Sequence, residues 1–197
     1  MQLGGFRVGI DESFFSTFTG YAGNVVQDTL IGYGHFTTGV VQYYFDGGNG
    51  FTAGVSLEEG SGASTVDSYV PHVAFGAKWT QGWGGISGVL GYDSNNEDIT
   101  GKVRLDVKVN EQFSLWAMAG YGTYDDDLSN SSAPGGYVDW FKVWDGNWAV
   151  WGGGAFQFNE KGAINAQLSY DEGKTFAATV NVDYQPVKDF HIIPEIS

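Results

Sequence analysis

The chain contains no cysteine, which excludes disulfide frameworks, zinc ribbons and thiol nucleophiles. It is poor in positive charge: 9 Lys and Arg against 23 Asp and Glu leave a net charge of −14, which repels phosphate backbones and argues against nucleic-acid partners. It has no apolar run long enough for a membrane-spanning helix, and its mean hydropathy is −0.17, so a helix-bundle membrane protein is excluded as well. Proline is scarce, at 4 residues. What the chain has in abundance is glycine, 31 of 197 residues, and aromatic rings, with 7 Trp, 11 Tyr and 14 Phe. Glycine disfavours helices and aromatic side chains favour strands, so an all-β chain of about one domain is expected. At the start, Met1 leads into a strand-like run, LGGFRVGI, with no targeting segment, and the other end falls inside HIIPEIS. The expectation is a piece of a longer protein; the alternative is a mature soluble domain whose first and last strands pair.

Apolar and polar positions alternate with a period of two, the pattern of strands with unlike faces. In residues 102–109, Lys102, Arg104, Asp106 and Lys108 interleave with Val103, Leu105, Val107 and Val109, so one face is charged and the other aliphatic. The same period sets Phe51, Ala53, Val55 and Leu57 against Thr52, Gly54, Ser56 and Glu58. It returns with Ile164, Ala166, Leu168 and Tyr170 against Asn165, Gln167, Ser169 and Asp171. Such runs mark about eleven strands, beginning near Leu3, Thr38, Phe51, Tyr69, Gly85, Thr100, Phe113, Asn147, Ala163, Lys174 and Phe190. Short connections at residues 47–50, 81–84, 110–112, 159–162 and 186–189 alternate with mostly longer ones, including 11–37, 59–68 and 123–146.

Strands of roughly ten residues with tight turns at one end and long loops at the other describe an antiparallel transmembrane β-barrel, where lipid meets the apolar face. Aromatic residues give an independent sign. Phe45, Phe51, Trp79, Trp83, Phe113, Phe158, Tyr184 and Phe190 flank the tight turns, while Tyr69, Tyr92, Tyr121, Trp148, Tyr170 and Phe176 flank the long loops, as two interfacial girdles would. The competing reading is a soluble carbohydrate-binding or glycosidase-like β-sandwich, with Trp and Tyr as sugar platforms. Such a protein would gather its aromatics on one face or loop set, whereas here they spread to both ends of nearly every strand.

Residues 11–37, DESFFSTFTGYAGNVVQDTLIGYGHFT, form a connection too long and too aromatic to be simply solvated, and are expected to pack on something. The segments LGGFRVG, DESFFSTFTGYAG, QGWGGISGVLGYDS, GKVRLDV, WAVWGGGAFQ and FAATVNVDY together resemble the general porins of alphaproteobacteria, the rhizobial and Brucella-type family. The resemblance covers nearly the whole chain. It implies an outer-membrane barrel of about sixteen strands, assembled as a homotrimer among lipid and lipopolysaccharide, passing ions and small hydrophilic solutes by passive diffusion. The chain would supply strands five to fifteen, and residues 11–37 would be the inward-folded loop that constricts the channel.

Arg7, Lys78, Lys102, Arg104 and Lys108 fall on expected inward positions, as does Asp106 between Arg104 and Lys108. The resemblance implies loop acids facing wall bases, a role carried to Asp11, Glu12 and Asp28, with the bases and Asp106 lining the pore; opposed charges across a narrow lumen set ion preference. No cofactor and no enzyme activity are expected. SYDEGKT (169–175) lacks the first glycine of a phosphate loop, having Leu168 there, and is taken as a hairpin tip. Asp125, Asp126 and Asp127 could hold a divalent ion or bridge lipopolysaccharide through one, but are read as a solvated tip. His35, His72 and His191 lack ligand spacing. Glu58 and Glu59, adjacent on a strand, face opposite ways and cannot share a substrate, so they are read as a loop rim. Gly152, Gly153 and Gly154 are read as strand bending or close packing.

Overall fold

In the computed structural model, which describes residues 1–123 and 139–197, strands that follow one another in sequence are hydrogen-bonded side by side in one antiparallel sheet of 13 strands. They are β1 (Gln2–Leu3), β2 (Phe6–Glu12), β3 (Thr37–Gly48), β4 (Phe51–Glu58), β5 (His72–Gln81), β6 (Gly84–Asp93), β7 (Asp98–Lys108), β8 (Phe113–Gly122), β9 (Trp148–Asn159), β10 (Gly162–Asp171), β11 (Phe176–Val187) and β12 (Phe190–Ile192), with β13 (Glu195–Ile196) turning back onto β11. One helical turn, α1 (Phe14–Thr17), follows β2. The edges are β1 and β12, and among the described residues the sheet does not close on itself.

Nine of the expected strands appear as such, and two are split. The run near Leu3 breaks at Gly4, whose φ of 57° lies in the left-handed region, so β1 folds back as a hairpin on β2. The last run breaks before β13, where Pro194 has no N–H to continue a ladder. β2 also runs further than expected, to Glu12, so Asp11 and Glu12 close a strand and the loop proper is residues 13–36.

The two faces separate by parity, but burial runs opposite to that of a water-soluble protein. Lys102 is 1% exposed and its neighbour Val103 60%; Ser56 is fully buried and Val55 is 38% exposed. The apolar face lies open across the sheet, and its aromatic residues near the turns, including Trp79, Trp83, Phe158, Tyr121 and Phe176, are exposed. In water this face would forgo roughly 25 cal/mol per Å² of stabilisation, so its arrangement suits a nonaqueous surrounding. The core lies on the polar face instead, where loop rings from Phe14, Phe15, Phe18, Tyr33, Trp140, Phe141 and Trp144 pack on Ala74, Val89, Met118 and Trp151 of the strands. The soluble β-sandwich is therefore not favoured, because it needs a second sheet against the apolar face and the strands form one sheet.

Candidate functional site

The polar face is crossed by two segments. The first, residues 13–36, starts with α1, whose Phe14 and Phe18 rings stack 4.4 Å apart over Gly54 and Gly76. A Cβ at Gly76 would lie 2.5 Å from the Phe18 ring, so the wall is glycine where the helix seats. Beyond α1 the loop has no ladder of its own, and wall side chains satisfy its carbonyls. Lys102 Nζ donates to Tyr33 O at 2.6 Å, Trp151 Nε1 to Ile31 O at 3.0 Å, Gln167 Nε2 to Asp28 O at 2.9 Å and Asn181 Nδ2 to Asn24 O at 3.0 Å. Arg104 also donates to Tyr21 O. The loop thus spans from β4 and β5 to β11.

The second segment, residues 139–147, belongs to a connection that the sequence marks only as long. Trp140, Phe141 and Trp144 are buried, Phe141 over Gly91 and Trp144 over Gly120. Trp140 lies near-parallel to two histidines, His35 at 4.9 Å and His72 at 6.1 Å. His72 Nδ1 is 3.2 Å from Asp93 Oδ1, and the other Asp93 oxygen accepts the Trp140 N–H at 2.7 Å. Burial holds the His35 pKa below its ordinary value and pushes the Asp139 carboxyl up to about 6. Asp125, Asp126 and Asp127 lie outside the described residues.

The charged residues are placed as follows. Arg7 pairs at 3.2 Å with Asp11 of its own strand. Glu12 accepts the Tyr21 hydroxyl, a bond that, ahead of burial, pushes the tyrosine pKa up to about 12. Asp28 accepts the Tyr33 hydroxyl at 2.7 Å, and partial burial raises its own pKa. Arg104 pairs with Asp106 at 2.8 Å and lies 4.6 Å over the Trp116 ring. Lys78 stands over Phe18 at 5.1 Å, and Lys108 is exposed. Among the described residues Arg7 and Arg104 are thus paired within their own strands, and Glu12 and Asp28 accept tyrosine hydroxyls of the loop.

Lys102 requires a correction. Its inward direction is as expected, but it lines no open passage: it is buried under the loop, between the Phe15 and Tyr33 rings at 4.5 and 5.2 Å. Glu58, expected at a loop rim, is instead 1% exposed beneath both segments. On the tight-turn side of the loop remains a recess of about 530 Å³, lined by Tyr21, Asn24, Arg104, Asp106, Lys108 and Trp116 among others. It presents charge of both signs beside an aromatic ring.

The comparisons with known proteins agree with this geometry. A family model described as Porin subfamily matches residues 1–197. Porin Omp2a of Brucella ovis is 44% identical over 201 residues, covering 100% of this chain and 55% of the relative. Porin Omp2b of Brucella abortus (strain 2308) is 43% identical over 206 residues, again covering 100% of this chain and 54% of the relative. The chain spans about half the length of the curated relatives it matches. In fold it is similar to the outer membrane channel DcaP of Acinetobacter baumannii, with a TM-score of 0.63 at 20% identity, covering 97% of this chain and 64% of that one. An antiparallel sheet with its apolar face open and loops laid over its polar face, matched from end to end by the family model, identifies this chain as a member of the porin family.

Proposed function

We propose that the complete protein is an outer-membrane porin, a water-filled β-barrel through which ions and small hydrophilic solutes diffuse passively. The observation that carries this reading is the inverted burial of the sheet. Hydrocarbon is the surrounding in which an exposed aliphatic face with aromatic residues at both ends is favourable, and strands satisfy their backbone groups there by pairing with one another. The polar face then lines the passage, with Arg7, Lys78, Arg104, Asp106 and Lys108 along it and residues 13–36 narrowing it. Asp11 and Glu12 stand at the root of that loop, and Asp28 within it. The chain contributes strands five to fifteen of about sixteen, with β1 and β2 counted as one strand and β12 and β13 as another. Homotrimer formation and contacts with lipopolysaccharide belong to the complete protein. No enzymatic turnover is part of this reading.

The experiment is reconstitution of the complete protein into planar bilayers. Stepwise conductance that scales with salt concentration and needs no energy source is expected. A protein that inserts and carries no current, or that turns over a sugar or ester, would reject the proposal.

A further inference from the structure

Glu58 ends β4 with its carboxylate on the polar face, and its partners come from both crossing segments. Oε1 accepts the Phe14 N–H at 2.8 Å, while Oε2 accepts the Ser13 hydroxyl at 2.7 Å and the Trp140 indole N–H at 2.7 Å. Ser13 occupies the N-cap position of α1, yet its side chain makes no capping bond and turns to Glu58 instead. A buried carboxylate is costly unless donors surround it, and charge-assisted donors are the strong ones, so this position ties its partners firmly. The two segments also meet directly. Phe15 and Phe141 have ring centroids 5.0 Å apart, His35 lies against Trp140, and a Cβ at Gly32 would be 3.4 Å from that of Val143.

We propose that Glu58 is a positioning residue that locks residues 13–36 and residues 139–147 into one unit, so that the constriction is built from two segments. The proposal rests on the channel reading above. It assigns Trp140 a part in setting the passage, although it lies 82 residues from Glu58 in sequence. The chemistry of Glu58→Gln shows why a carboxylate is required. If the amide nitrogen takes the place of Oε1, it faces the Phe14 N–H; if it takes the place of Oε2, it faces the indole N–H. Ser13 can reverse its hydroxyl, but neither N–H can, so one of the two segments loses its bond in either orientation.

The test uses the complete protein in planar bilayers. In Glu58→Gln the rate of partial closures should rise roughly tenfold or more, as expected for loss of a hydrogen bond to a charged group. Trp140→Phe keeps a ring and removes the indole donor, and should give the same rise; it also covers the case in which Glu58→Gln does not fold. A tether supplies the reverse test. This chain has no cysteine, and the Gly32 and Val143 positions are close to the roughly 3.8 Å Cβ separation of a disulfide. With Gly32→Cys and Val143→Cys added to Glu58→Gln, oxidation should restore wild-type quiet and reduction should undo it. Glu58→Gln and Trp140→Phe channels as quiet as the wild type, or a tether that fails to form or to quiet the current, would overturn the proposal. A wild-type protein without current rejects the channel reading alone. The coupling is then decided by the rate of tether oxidation on a gel, expected to fall roughly tenfold with Glu58→Gln and contradicting the proposal if unchanged.

Discussion

Asp11 and Glu12 stand at the root of the loop with different partners. Asp11 is half-exposed beside Arg7, and Glu12 is capped by the Tyr21 hydroxyl. Replacing them with Asn and Gln in the complete protein removes two negative charges and leaves Arg7 without its partner, so cation preference should fall. The reversal potential under a salt gradient measures this, and an unchanged value would place both acids outside the ion path. Asp139 carries a second prediction. One of its oxygens accepts the Phe141 N–H at 2.7 Å, and the other is buried with no partner among the described residues, which favours the protonated form. With its pKa raised to about 6, docking of residues 139–147 is weakest above that pH and strengthens as the pH falls from there towards the ordinary value of 3.8. Buried His35 works in the opposite direction: with its pKa lowered, docking weakens as the pH falls below the ordinary 6.5. Asp139→Asn leaves the histidine effect unopposed, so going from about pH 7 to about pH 5 should lower the protection of the amides in both segments, measured relative to their intrinsic exchange rate at each pH, more than in the wild type. Equal pH responses in the two proteins would contradict the assignment.

At the level of elements, the strands were legible because their signal is local: a period of two in polarity, closed by glycine and asparagine turns such as Asn49 with its φ of 50°. Which polar wall positions are covered was not legible. Lys102 meets Tyr33 across 69 residues and Glu58 meets Ser13 across 45, and no local pattern marks such partners. For the same reason the spacing of the histidines does not show that His35 and His72 lie flat beside Trp140. The sequence does carry one sign of the covered positions, namely glycine on the polar face. Gly54, Gly76, Gly91 and Gly120 each lie under an aromatic ring of a crossing segment. Gly76→Ala places a methyl against two Phe rings and should cost roughly 1–3 kcal/mol. Gly88, on the apolar face, has ordinary space, with its nearest neighbour at 3.6 Å, and Gly88→Ala should stay within about 0.5 kcal/mol. Urea unfolding of the complete protein in lipid vesicles would compare them, and equal costs would contradict the seating of α1.

Over the whole molecule, the polar face does what a core does in a soluble protein, and the apolar face does what a surface does. The low share of charged residues, 16%, fits that division, since the exposed apolar face carries aliphatic and aromatic side chains. The two crossing segments give the sheet an interior without a second sheet, and the wall donors hold them there. The proposed function depends on which way the faces point. The measurement that tests it most directly is a spin-label scan of residues 102–108 along β7 in the complete, membrane-embedded protein. Positions 103, 105 and 107 should be open to lipid-dissolved oxygen, positions 104, 106 and 108 to a water-soluble relaxation agent, and position 102 to neither. Protection of 103, 105 and 107 from both agents would mean that a second protein layer covers the apolar face, and would contradict it.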